Sequence, residues 1–465
     1  MITITLFTVF ALSFQDGNFN YEISEDEVTL VSGTCPTINT DLIIPQTVKH
    51  EDKDYSVTKI GPNAFQNCST WTGKFNLPST IVSIGESAFE QCTGITGDLN
   101  LPDKLTEIPK NAFRQCSGLN GTLHLPTSLK TIGTNAFYLC SKLHGDLTIP
   151  EGVTTIGFQA FIECAGFDGK LTIPNTVTTI EGSAFSGCSG LTGDLILPTE
   201  ITIIEDQTFS SLGCTGTLTL PANLVSIGQR AFRGARFTGP LNLPATITTI
   251  KSAAFSRSSF TGKLNLPENL ESVDKSAFCD CNGFSDALTI PAKMTTISYE
   301  AFAGCSGFRG NLVLHEDIEN IENRAFFNCN GFTGTLTIPP KVTEIGYDAF
   351  TNCAGFTGDL TIPFSVTTLG NSVFQGCTGF NGKLTFGDKI TQIGDSAFCE
   401  CEGLTGDLTI PDQVTSIGNN AFRQCLNLNG VLHLPTSLKT IGTNAFFFCS
   451  KLHGDLTIPE GVTTI

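Results

Sequence analysis

Reactive chemistry in this chain would have to come first from its eighteen cysteines. Fourteen lie three residues after a phenylalanine, as at Cys68, Cys92, Cys116 and Cys140. A cysteine kept at one fixed place acts as a small buried apolar group. Neighbours in such a column point the same way, which suits disulfide geometry poorly. The expectation is of free, buried thiols. Cys279-Asp280-Cys281 and Cys399-Glu400-Cys401 each add a second thiol. Cys279 and Cys399 directly follow the phenylalanine, a place held elsewhere by Gln66, Glu90, Arg114 or Tyr138. They should therefore be exposed and oxidisable. Two thiols are half of a structural zinc set, and no histidine pattern accompanies them, so no metal site is assigned.

Anion recognition is the second chemistry on offer. Arg230, Arg233, Arg236 and Arg257 are half of the eight arginines and fall in one short span. Guanidinium groups suit bidentate contact with carboxylate or sulfate, so Arg233, Arg236 and Arg257 are candidate ligand contacts, against a solvated surface turn as the bland alternative. Asn67-Cys68-Ser69 and Asn120-Gly121-Thr122 match the glycosylation acceptor pattern, with Asn67 the poorer candidate beside a cysteine expected to be buried. Catalysis finds no purchase: there is no H-E-x-x-H, P-loop or G-x-S-x-G pattern. The reading is non-enzymatic, with no catalytic residue and no cofactor.

What positions these residues is a repeat. The anchor phenylalanine recurs at 65, 89, 113 and onward to 446, seventeen times, at a spacing of 24 residues or, in three places, 23. Leu147 to Lys170 is a typical unit. Leu147-Thr148-Ile149 alternates as a half-buried strand. Pro150 ends it. The β-branched run Val153 to Ile156 reads as a second short extended piece. Gly157 permits the bend into Ala160-Phe161, and the anchor rings should stack along the axis. No such unit buries its apolar face alone, so the units must stack as a solenoid. At about 4.8 Å per coil this gives a curved rod on the order of 80 Å long.

The order L-x-I-P, V-x-x-I-G, A-F, x-x-C, x-L resembles the BspA-type leucine-rich repeat, over residues 42 to 465. That family occurs in surface proteins of mucosal bacteria and of protozoan parasites such as trichomonads. The resemblance implies a β-rich, right-handed superhelix of short parallel strands and turns. It also implies a role in adhesion or recognition without catalytic residues.

Composition narrows the partners. A net charge of −18 with 15% charged residues lacks the basic footprint that nucleic acid or anionic lipid requires. Residues 1–14 form an apolar run that resembles a signal-peptide core, too short to span a bilayer. Its alternative is a strand of the cap. Residues 15–60 read as an N-terminal cap, with strands at Tyr21-Glu22-Ile23 and Val28 to Val31, a first coil strand at Leu42-Ile43-Ile44 and a charged loop from His50 to Asp54. Residues 61–465 form the solenoid. The chain stops at Ile465 in mid-coil, and the expectation is of an incomplete stack.

The middle residue of each L-x-L strand should face outward. That column includes Ile196, Thr219, Asn242, Asn265 and Thr289. A Thr/Asn ladder is a solvated β-surface first, and extended solenoid faces are where such proteins take partners. Coils after Phe209, Phe232 and Phe255 lose one residue, and Leu212, Ala235 and Ser258 replace the cysteine there. The reading is a secreted or cell-surface adhesion scaffold for host-surface, extracellular-matrix or microbial proteins. The alternatives are a structural surface coat or an intracellular interaction scaffold.

Overall fold

A computed structural model describes residues 12–25, 27–33, 35 and 41–465. Its contacts divide the chain into two compact units, Met1–Pro221 and Ala222–Ile465. The boundary falls between the anchors Phe209 and Phe232, among the shortened coils. Among the described residues there is no helix.

The first unit opens with a sheet. Strands β1 (Leu12–Asp16), β2 (Phe19–Ser24) and β3 (Glu27–Gly33) pair antiparallel in sequence. β4 (Leu42–Ile43) is the first coil strand and pairs in parallel with β7 (Phe75–Asn76). β5 (Thr47–His50) and β6 (Lys53–Ile60) form a hairpin. The charged loop expected here is thus a two-residue turn, Glu51-Asp52, at φ 47° and 62°. Positive φ at both central residues matches the twist of the flanking strands. β6 runs in parallel beside β3 and then beside β8 (Ser83–Ile84), so it hands the cap sheet over to the coil ladder. Of the apolar run, residues 1–11 lie outside the described residues. Phe14 packs on the fully buried Tyr21, ring centroids 5.4 Å apart.

The coils follow the alternation in the sequence. Leu147–Thr148 pairs in parallel and in register with Leu171–Thr172, and Thr155–Ile156 with Thr179–Ile180. Residues one repeat apart face each other because the repeat length equals one turn of the solenoid. Anchor rings stack as expected. In the first unit, centroid distances from Phe65 to Phe209 are 5.1 to 5.7 Å with planes within 12°. In the second unit, Phe232 to Phe446 does the same within 16°. A second aromatic column, including Phe308, Phe332 and Phe356, runs beside it in that unit with edge-on contacts.

Two features of the coil are invisible in the apolar pattern. The residue two before each anchor lies at positive φ, from Asn63 (56°) to Asn444 (57°). The residue two after each anchor lies there too, as at Gln115 (60°) and Asn352 (61°). Asn, Asp and Gly tolerate this region best, since a Cβ otherwise crowds the backbone. The strained pair turns the anchor's own N–H toward the next coil, as in Phe161 N–H to Ala184 O at 2.8 Å. The column cysteines are also more than filler. Each thiol reaches back to the carbonyl of the preceding anchor, Cys164 Sγ to Phe137 O at 3.1 Å and Cys305 Sγ to Phe278 O at 3.0 Å.

Cys68 corrects the expectation of free thiols throughout. It is bonded to Cys35, Cα atoms 5.3 Å apart. The geometric objection held only for partners within the column. Cys68 lies in the first coil, and Cys35, from beyond β3, reaches it from outside the column. The other sixteen are free, and all but Cys279 are buried.

Candidate recognition surfaces

The outward column is built by strand alternation. Leu195 and Leu218 point inward, 0% and 4% exposed, which forces Ile196 and Thr219 outward. Ile196 is 65% exposed and lies beside Thr219 in paired strands of the first unit. In the second unit Thr289 faces outward beside Val313. Asn242 and Asn265 are exposed as well, but the ladder lapses there and neither lies in a strand. Gly262–Lys263 pairs with Phe284–Ser285, the same contact that joins Gly310 to Phe332 and Lys170 to Thr192 in the full-length coils.

Arginines of the second unit occupy a different column, at the turn around the anchor. Arg230, Arg236 and Arg257 are exposed and Arg233 is half-buried. Arg230 and Arg257 hold the two positive-φ places, at 54° and 58°. Arg257 Nε lies 3.4 Å from Asp280 Oδ2, so part of its charge is already balanced. An exposed pair of this kind is screened and readily exchanged for another anion. The turn is repacked as well. Ala235 and Ser258 fill the cysteine place and are buried, and Ser258 Oγ sits 3.5 Å from Cys281 Sγ.

Cys279 and Cys399 are less open than expected. Cys279 is half-buried, and burial followed by Asp280 and Glu300 pushes its thiol up to about 12. Cys399 is 3% exposed, with its thiol raised by burial and then by Glu400. Thiolate, the reactive form, is suppressed at both. Side chains after the anchor vary because the position is partly covered by the coil above, not because it is free. Among the described residues no group of three or more His, Cys, Asp and Glu is placed to hold a metal ion. His124 Nε2 is engaged with Thr122 Oγ1 at 2.8 Å, and His315 Nε2 with Met294 O at 2.9 Å. Asn67 and Asn120 are both exposed. Asn120 Oδ1 accepts the Gly97 N–H at 2.9 Å, which leaves its Nδ2 outward.

A family profile described as the BspA type leucine rich repeat region (6 copies) matches residues 58–192, 154–284, 191–309, 309–429 and 381–465. The chain belongs to the BspA-type leucine-rich repeat family. No curated protein matches the chain. A leucine-rich repeat protein from Bacteroides ovatus is similar in structure at 25% identity, over 94% of this chain and 93% of that one, with a TM-score of 0.52. A leucine rich cell surface protein from Faecalibacterium prausnitzii shares 21% identity over 95% and 93%, with a TM-score of 0.33. The pneumococcal vaccine antigen PcpA shares 16% over 91% and 93%, also at 0.33. The Bacteroides ovatus protein shows the fold; a BspA-type repeat of this kind is a scaffold for interaction. No helix among the described residues is long and apolar enough to cross a membrane.

Proposed function

We propose that this BspA-type protein is a non-enzymatic adhesion scaffold, secreted or held at the cell surface, that binds host-surface, matrix or microbial proteins. The observation that carries the reading is the exposed side-chain column at one-coil spacing, fixed from behind by stacked phenylalanines. A rigid periodic face gives many weak contacts at once, and their combined avidity exceeds that of any one. Ile196 is the apolar centre of the column in the first unit. Arg233, Arg236 and Arg257 offer a positive island in the second. The Cys35–Cys68 disulfide supports an oxidising compartment over an intracellular scaffold.

The test is solid-phase binding of the full chain to immobilised fibronectin and laminin. Saturable binding that Ile196→Asp weakens supports adhesion through the column. Binding lost in Arg233→Glu/Arg236→Glu/Arg257→Glu places the contact on the island. No saturable binding to either protein removes adhesion to these matrix proteins and favours the surface-coat alternative.

A further inference from the structure

The segment that leads into the strand Leu123–His124 carries chemistry that the outward column and the arginines do not use. Asn120 is exposed there, and its Oδ1 accepts the Gly97 N–H of the preceding coil at 2.9 Å. A backbone N–H only donates, so the atom turned toward Gly97 is the oxygen. Nδ2 is the atom turned away. Asp168 makes the same bond to the Gly145 N–H at 2.8 Å, and Asn381 makes it to the Gly358 N–H at 2.8 Å. An aspartate serves as well as an asparagine, so the coil needs the oxygen at this place and not the nitrogen.

Gly121 and Thr122 complete an Asn-Gly-Thr triplet. Gly121 is packed on the coil before it, where a Cβ would come within 2.4 Å of Asp98 N. The Thr122 N–H donates to Asp98 Oδ1 at 2.8 Å, and its hydroxyl donates to the same oxygen at 2.9 Å. Asn429-Gly430-Val431 in the second unit shows which of these the coil can do without. Asn429 is exposed and accepts the Gly406 N–H at 2.8 Å, and the Val431 N–H donates to Asp407 Oδ1 at 2.8 Å. The same backbone bonds form with valine in place of threonine, so the stack does not require the Thr122 hydroxyl. Asn120 thus combines an outward amide nitrogen with the hydroxyl two residues on that an oligosaccharide transferase requires of its acceptor. The other such triplet, Asn67-Cys68-Ser69, lacks this setting. Its middle residue is 1% exposed and bonded to Cys35.

We propose that Asn120 carries an N-linked glycan. The proposal rests on the secreted reading, because the transfer takes place as a chain crosses a secretory membrane. The donor is an oligosaccharide joined through its first sugar to a lipid diphosphate. Nδ2 forms a bond to the anomeric carbon of that sugar, and the bond from that carbon to the phosphate oxygen breaks. Nδ2 gives up one proton, which leaves with the lipid diphosphate. The carbonyl is untouched, so Asn120 Oδ1 still accepts from Gly97 in the modified chain. A glycan is bulky and strongly solvated. This one stands beside the outward column at His124, whose Nε2 lies 2.8 Å from Thr122 Oγ1. Ile196, further along the column, stays clear of it.

The test is expression of the full chain in cultured animal cells, once with its own first residues and once behind a supplied secretion leader. Mass spectrometry then follows the peptide that holds Asn120, before and after peptide N-glycosidase. That peptide should carry the mass of an oligosaccharide, and the glycosidase should remove it. Asn120→Gln and Thr122→Val should each abolish the added mass. Thr122→Val keeps the Asn120–Gly97 bond and copies Asn429-Gly430-Val431, so its loss of glycan is not a loss of fold. Val431→Thr should add a glycan at Asn429. A secreted chain with Asn120 unmodified overturns the proposal, and so does a glycan that persists in Thr122→Val. A glycan behind the supplied leader, with the chain kept in the cytosol under its own first residues, upholds the acceptor and refutes the secreted reading instead.

Discussion

Alkaline pH should loosen this protein through its buried thiols. Cys140 and Cys377 are fully buried, and burial pushes both from an ordinary 9.0 up to about 12, one in each unit. Such a thiol holds its proton in the fold and releases it when unfolded. Its contribution to stability is intact below about 9 and is lost as pH rises toward about 12. Each pH unit in that window costs about 1.4 kcal/mol per thiol. At about pH 10.5 the loss is therefore about 2 kcal/mol per thiol. Urea unfolding followed by circular dichroism at about pH 8 and at about pH 10.5 measures it. Cys140→Ala isolates one thiol from the lysines and tyrosines that titrate nearby in pH. It leaves Phe113 O with the Cys116 N–H at 3.2 Å, so no carbonyl is orphaned. The variant should narrow the pH-dependent loss by about 2 kcal/mol. Equal losses in variant and wild type, or a wild type indifferent to this pH change, would refute the reasoning.

Other outcomes follow from the same contacts. Phe326→Ala removes a fully buried ring stacked on both sides at 5.7 and 5.4 Å; it should destabilise the second unit by about 4 kcal/mol, read as faster amide exchange in the adjoining coils. Cys35→Ser opens a link across a sequence separation of 33; a loss of about 3 to 4 kcal/mol in the first unit is expected, and an unchanged melting curve would deny the bond. Asp98 and Asp194 are held below the usual carboxylate range by the backbone N–H and then the hydroxyl of Thr122 and Thr217. What they contribute is present above about 3.8 and lost as pH falls further. Asp98→Asn/Asp194→Asn keeps the acceptors but not the proton dependence, so it should flatten the acid limb of the first unit's unfolding curve.

The candidate column was legible in the sequence because strand alternation has a fixed period. Once Leu195 is inside, Ile196 must be outside. The anchor column was legible for the same reason. Three features were not. The Cys35–Cys68 bond joins the column to a segment with no period, so spacing gives no handle on it. The positive-φ places flanking each anchor leave only a bias toward Asn, Gln, Ser and Gly, diluted by Leu139 and Arg324 at the same places. The shallow depression lined by Asn282, Ser306 and Asn330 is made by short side chains in successive coils, residues 24 apart in the sequence that become neighbours only once stacked.

One ten-residue segment that occurs twice separates what the chain fixes from what the stack decides. Leu147 to Ile156 and Leu456 to Ile465 are identical, LTIPEGVTTI. Their types and order set the strand alternation, the proline stop and the turn in both places. Among the described residues only the first copy has a coil packed against each face. There Leu147 and Ile149 are 1% and 2% exposed, and Leu147–Thr148 is a strand. In the second copy Leu456 and Ile458 are 59% and 40% exposed, and Leu456 and Thr457 lie outside any strand. Sequence sets which side of the chain is apolar, since that is local chemistry. A ladder needs a second chain segment for its hydrogen bonds and a second surface to exclude water, so burial, pairing and the grooves between coils belong to the tertiary structure.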